Sequence, residues 1–248
     1  MNNPILWVPP IINVLVTGLF ALTVFRQYLS RQRLYQLYWS IALCMAFLAT
    51  LSYITMLLVQ PTSAGGVLLF RLYYILGIVM PAWLGMGSIA LVSRPLVTRI
   101  SFTILLLLSV VGALFILDAS INLQVLSQIA GTPGTGTLRT GPWLVTTILL
   151  NTLGVVAIVA VALYSAWKLL RRQASVGGFR TSNVLWANIL ILTGALFNGA
   201  AGTLARFLGL QSTFWLIMAL GWIILFSGVL LASRRSSAVS EAAPPVRT

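Results

Sequence analysis

The stretch RLYYILGIVMPAWLGMGSIALVSR, Arg71 to Arg94, is an unbroken run of uncharged, mostly apolar residues with an arginine at each end. A helix rises 1.5 Å per residue, so about 20 such residues cross the ~30 Å hydrocarbon core of a bilayer. The run is therefore read as one membrane span. Working outward, the chain repeats the pattern until seven segments are found, at Ile5 to Phe25, Leu37 to Val59, Leu72 to Val92, Ile100 to Leu117, Trp143 to Leu163, Val184 to Leu204 and Phe214 to Leu231. Each is apolar almost all round, as a lipid-facing or bundle-buried helix has to be. The expected fold class is all-α: a polytopic membrane protein of seven transmembrane helices.

Composition points the same way. Of 248 residues, 59% are hydrophobic and 7% charged, far below the roughly 25% charged residues of soluble chains. A net charge of +13 suggests nucleic acid at first sight. The basic residues nevertheless fall in short clusters between apolar runs, which is what membrane topology needs, and no nucleic-acid partner is expected. Arg26, Arg31, Arg33, Arg94, Arg99, Lys168, Arg171, Arg172, Arg180, Arg234, Arg235 and Arg247 fall on one side of the seven spans, and only Arg71, Arg139 and Arg206 on the other. The positive-inside rule then places the N-terminus outside and the C-terminus in the cytoplasm, in a bacterial cytoplasmic (inner) membrane crossed many times. Met1 to Trp7 carries no basic n-region, so no cleaved signal peptide is expected.

One seven-helix domain is expected over 1–235, followed by a disordered cytoplasmic tail at 236–248, where SSAVSEAAPPVRT is small, polar and proline-containing. Most connections are short, so sequence neighbours pack antiparallel. The exception is the outer loop 118–142. Its first half places Ile121, Val125, Leu126 and Ile129 at helical spacing, which reads as a short amphipathic helix lying in the membrane interface. Its second half, GTPGTGTLRTG, reads as a flexible linker rather than a lid. A faint internal repeat, Arg33 six residues before Trp39 and Arg180 six before Trp186, allows a 3+1+3 arrangement of parallel triplets.

Chemistry has little to work with. The chain has no histidine and one cysteine, Cys44, which removes disulfides, the usual haem ligand and most zinc chemistry; no metal and no cofactor are expected. Asp118 is the only acid before Glu241, so an enzyme is not expected either. Candidate ligand or ion-pair residues are Arg71, Tyr74, Asp118 and Arg206 at the outer ends, with Asn151, Asn188 and Asn198 deeper. Arg71 either anchors at the headgroups or turns inward to Asp118, and Arg206 is the alternative partner for that acid. Asn13, Thr17, Ser52, Thr55, Thr152, Thr193 and Ser227 join the asparagines as expected interhelical glue. Gly85, Gly87, Gly194, Gly199, Gly202 and Gly221 read as close-approach faces, and Pro81 as a kink. Trp7, Tyr73, Tyr74, Trp143 and Trp215 read as an outer aromatic belt, with Tyr35, Tyr38, Trp39 and Trp186 as the inner one.

Several of these stretches, RQRLYQLYWSIAL, FRLYYILGIVMPAWLGMGSIALVSR, Asn151-Thr152-Leu153-Gly154, Leu163-Tyr164-Ser165-Ala166-Trp167, Ala187-Asn188-Ile189-Leu190-Ile191 and Leu204-Ala205-Arg206, resemble an uncharacterised bacterial family of seven-helix integral membrane proteins. The resemblance implies a stand-alone seven-helix fold and no assigned activity. A looser likeness is to the seven-helix sensing domains of bacterial histidine kinases, whose output needs a kinase after the last helix. The expected function is a non-enzymatic accessory or sensor-like membrane component that binds an apolar ligand, a lipid or another membrane subunit. The alternative is a 3+1+3 facilitator for a small neutral solute.

Overall fold

The computed structural model describes residues 6–173 and 182–241, with 169, 170, 172, 173, 182–184 and 232–241 described by backbone alone. Arg180 of the proposed repeat and the last residues of the tail lie outside them. The long helices are α1 (Val8–Arg31), α2 (Leu34–Leu58), α3 (Ala64–Val92), α4 (Pro95–Asp118), α6 (Pro142–Gln173), α7 (Ser182–Phe207) and α8 (Phe214–Glu241), with a one-turn α5 (Leu123–Ser127) in the loop between α4 and α6. All seven long helices are long and apolar enough to cross a membrane. The chain is a multi-pass, all-α membrane protein.

Local signals set the boundaries. Prolines occupy the first turns of α1 and α4, where a missing amide costs no helical hydrogen bond. The Ser63 side chain caps α3 by accepting from the Gly66 amide at 3.0 Å. Gln32 closes α1 in the left-handed conformation, its amide bonded to the Tyr28 carbonyl. Two helices outrun their apolar segments. α6 continues to Gln173 and α8 to Glu241, six residues into the tail read as disordered, because nothing in SSAVSE breaks a helix already under way.

The helices form a closed ring in the order α1, α2, α3, α6, α7, α8 and back to α1, with α4 outside it in the groove between α3 and α6. α1 to α3 and α6 to α8 thus have equivalent neighbours, as an exchange of two triplets requires. The tightest crossings are made at glycines. A Cβ on Gly154 of α6 would collide with the Pro81 carbonyl oxygen, and one on Gly85 of α3 would lie 2.8 Å from the Gly154 oxygen. α3 therefore runs through Pro81 as one helix, and the proline's carbonyl is backed by a residue with no side chain. Gly194 and Gly221 play the same part between α7 and α8, whereas Gly202 faces open space and belongs to no packing face. Deeper in the ring, Phe20 stacks on Phe226 at 4.8 Å and meets Trp222 edge-on at 6.3 Å, joining α1 to α8.

The expected hydroxyl glue is not glue. Thr17, Ser52, Thr55 and Ser227 each donate to the carbonyl four residues earlier in their own helix, so their polarity is spent locally. Within the bundle two indoles bond between helices instead: Trp39 Nε1 donates to the Leu84 carbonyl at 3.1 Å, and Trp83 Nε1 to Ser109 Oγ at 3.2 Å. Trp39 also lies flat against Gly87, so it is a packing residue between α2 and α3 more than an interfacial anchor.

Candidate functional site at the loop-covered end

The loop between α4 and α6 is folded into the mouth of the bundle. Its two arms pair through an antiparallel bridge, Ile121 with Leu138, flanked by Asn122 N to Thr137 O at 2.7 Å and Arg139 N to Ser120 O at 3.1 Å. The Asn122 side chain caps α5. Leu126, Ile129, Thr137 and Leu138 are buried, so α5 is tucked into the protein and does not lie on lipid as its periodicity suggested. The glycines read as flexibility supply specific geometry. Gly131, Gly134 and Gly136 hold φ of 79°, 77° and 87°, a region that other residues enter at a cost. A Cβ on Gly134 would also sit 2.7 Å from Ile129 Cδ1.

Aromatic polar groups pin this loop from below. The Tyr53 hydroxyl donates to the Ile129 carbonyl at 3.0 Å and accepts from the Gly131 amide at 2.9 Å. Tyr73 donates to the Pro133 carbonyl at 3.2 Å, Trp215 Nε1 to the Thr132 carbonyl at 3.2 Å, and Trp143 Nε1 to the Arg139 carbonyl at 2.7 Å. The same rings touch one another in a row: Phe214 and Trp215 at 5.1 Å, Trp215 and Tyr53 at 4.5 Å, Tyr53 and Tyr73 at 5.4 Å, Tyr73 and Tyr74 at 6.0 Å, Tyr74 and Trp143 at 5.5 Å. Tyr73, Trp143 and Trp215 are buried, which overturns their reading as an interfacial belt. A ring with one polar atom suits either place, and only the loop above it decides which.

Two of the candidate residues meet here. Arg206, at the end of α7, donates through Nη2 to the Tyr74 hydroxyl at 2.6 Å and places its guanidinium carbon 4.9 Å from the centre of the Trp143 ring. This ties α7 to α3 and α6 with a charge-assisted hydrogen bond and a cation–π contact. Arg71 goes elsewhere. Its guanidinium donates to the Leu117 carbonyl and, at 3.4 Å, to the Ala119 carbonyl, the two flanking Asp118. It thus neutralises carbonyls at the C-terminal end of α4, where the helix dipole favours a cation. Asp118 itself is exposed, and among the described residues no ion pair joins it to Arg71 or Arg206. The expected carboxylate contact is replaced by one with the backbone on either side.

The asparagines do not converge on this cluster. Asn151 is half-buried on α6 and Asn198 half-buried on α7, each eight residues below Trp143 and Arg206, or about 12 Å at helical rise. The Asn198 side chain lies against Gly221 of α8, its Oδ1 enclosed and without a hydrogen bond. Asn188 lies further down α7, towards the basic end. Asn13, passed over as a site residue, is fully buried with both amide atoms unpartnered, so it contributes no interhelical bond.

No protein-family model, curated protein or solved structure matches the chain. Its seven apolar helices fit a seven-helix membrane protein; the bacterial family and the kinase sensing domains remain resemblances of sequence.

Proposed function

We propose that this chain is a non-enzymatic integral membrane protein of the bacterial cytoplasmic membrane, with its N-terminus and the 118–142 loop outside. It works as an accessory or sensor-like component, taking a lipid, another apolar ligand or a partner subunit from within the bilayer. The observation that carries the reading is the closed mouth. Four buried aromatic side chains from α2, α3, α6 and α8 hold the loop down through their polar atoms. With that end covered, a lateral surface is open for recognition: α4 packs mainly on α3 and α6, and exposes Ile104, Leu107, Val110, Leu114 and Leu117 to its surroundings. Isolation from native membranes after crosslinking, with lipids and proteins identified together, tests this. A retained lipid or a partner crosslinked through α4 supports it; a lone monomer without either overturns it.

The ring of equivalent triplets favours a second reading, a 3+1+3 facilitator for a small neutral solute. There the pinned loop acts as a gate. Liposomes containing the protein distinguish the two, because a facilitator passes glycerol or urea faster than empty liposomes and an accessory component does not.

A further inference from the structure

At the opposite, basic end of the bundle a cavity of about 490 Å³ opens between α2, the end of α3 and the first turns of α4. Its walls are Leu34, Tyr38, Ala90, Pro95 and Phe102, with Arg99 at the rim. We propose that it is a binding site for an anionic phospholipid, with the headgroup phosphate at Arg99 and Tyr38 and the acyl chains laid along α4.

Tyr38 gives the first argument. It is 8% exposed, held by ring contacts to Phe102 at 5.6 Å and Trp83 at 6.4 Å; it lines the cavity, and its hydroxyl has no hydrogen-bond partner among the described residues. The phenol oxygen keeps access to the surface and is committed to no protein partner, so it is free to donate to a ligand seated in the cavity. Other hydroxyls on the walls are already used, Thr98 on the Arg94 carbonyl at 3.2 Å and Thr103 on the Arg99 carbonyl at 3.1 Å. Polar recognition therefore falls to Tyr38, Arg99 and the half-buried Ser93.

Charge selects the ligand. The cavity adjoins the N-terminus of α4, whose N-cap residue Arg94 supplies no side-chain cap, so the positive end of the helix dipole lies beside it. Arg33, Arg94 and Arg99 lie at this end, and Glu241 is the only acid the sequence places on this side. An acidic headgroup is attracted where a zwitterionic one is not. The apolar walls and the exposed Leu96, Val97, Ile100 and Ile104 of α4, which continue from the cavity into the lipid-facing surface, favour a lipid over a free anion.

The test uses the full chain in an uncharged detergent, with bound lipid counted by native mass spectrometry and thermal unfolding followed in parallel. Phosphatidylglycerol should be retained in preference to phosphatidylcholine of the same chain length, and inorganic phosphate should neither displace it nor raise the unfolding temperature. Arg99→Gln should weaken phosphatidylglycerol retention roughly fivefold, while Arg26→Gln, at the same end on α1, should leave it unchanged. Tyr38→Phe keeps the ring packing and removes only the donor, so it should weaken retention too and stands in if Arg99→Gln does not fold. Equal retention of the two lipids, competition by phosphate alone, or equal losses in Arg99→Gln and Arg26→Gln would overturn the proposal. This inference holds whether the protein is an accessory component or a facilitator.

Discussion

The Tyr53 hydroxyl bonds the loop twice, to Ile129 and to Gly131, residues 76 and 78 positions away in sequence. Tyr53→Phe removes one donor and one acceptor: the Ile129 carbonyl keeps the Thr132 amide and hydroxyl, each at 2.9 Å, but the buried Gly131 amide is left unanswered. Such a group costs about 1–3 kcal/mol. The variant should unfold at lower temperature in detergent, and hydrogen exchange should rise first at the 129–134 amides, with the helices unaffected.

The loop's glycines separate two kinds of cost. Gly134 and Gly136 both have positive φ, but a Cβ at Gly134 meets Ile129 and Phe70, while one at Gly136 meets nothing within 4 Å. Gly136→Ala should cost only the conformational penalty, about 1–2 kcal/mol. Gly134→Ala should cost measurably more, read as a larger drop in unfolding temperature for the same change of one methyl.

Arg71 and Asp118 predict opposite outcomes for neighbouring charges. Arg71→Gln strips the C-terminal end of α4 of its cation and should destabilise by about 1–3 kcal/mol. Asp118→Asn, at an exposed position without an ion pair, should stay within about 0.5 kcal/mol of the parent. A neutral Asp118→Asn, with a double variant whose loss equals the sum of the two single losses, confirms that the arginine serves the backbone and not the carboxylate.

Gly154 fixes how closely α6 approaches α3. In Gly154→Ala the new methyl would overlap the Pro81 carbonyl, a backbone group that cannot swing aside. Forcing the helices apart should cost about 1–3 kcal/mol or more. Gly202→Ala on α7, facing open space, is the matched control and should be neutral or slightly stabilising through helix propensity.

The candidate site was only half legible. Arg206 and Tyr74 were singled out and do meet, because charge and aromatic polarity at helix ends are visible in sequence. Tyr53, Tyr73, Trp143 and Trp215 as loop pins were not, since each sits among apolar neighbours in a way that fits a membrane-interface anchor equally well. A usable signal was present in GTPGTGTLRTG: four glycines within eleven residues, with the apolar Leu138 among them, suit a folded turn as well as a linker. Periodicity alone could not choose.

By itself the sequence determined the seven spans, their alternation and the segregation of basic residues to one end. Apolar length and charge are local quantities, and the bilayer reads them segment by segment. The tertiary structure decided the ring order with α4 outside, the turn of Arg71 to the Leu117 and Ala119 carbonyls, and the burial of the 118–142 loop. Those depend on which backbone groups come within 3 Å of which side chains, a matter of packing between residues far apart in the chain.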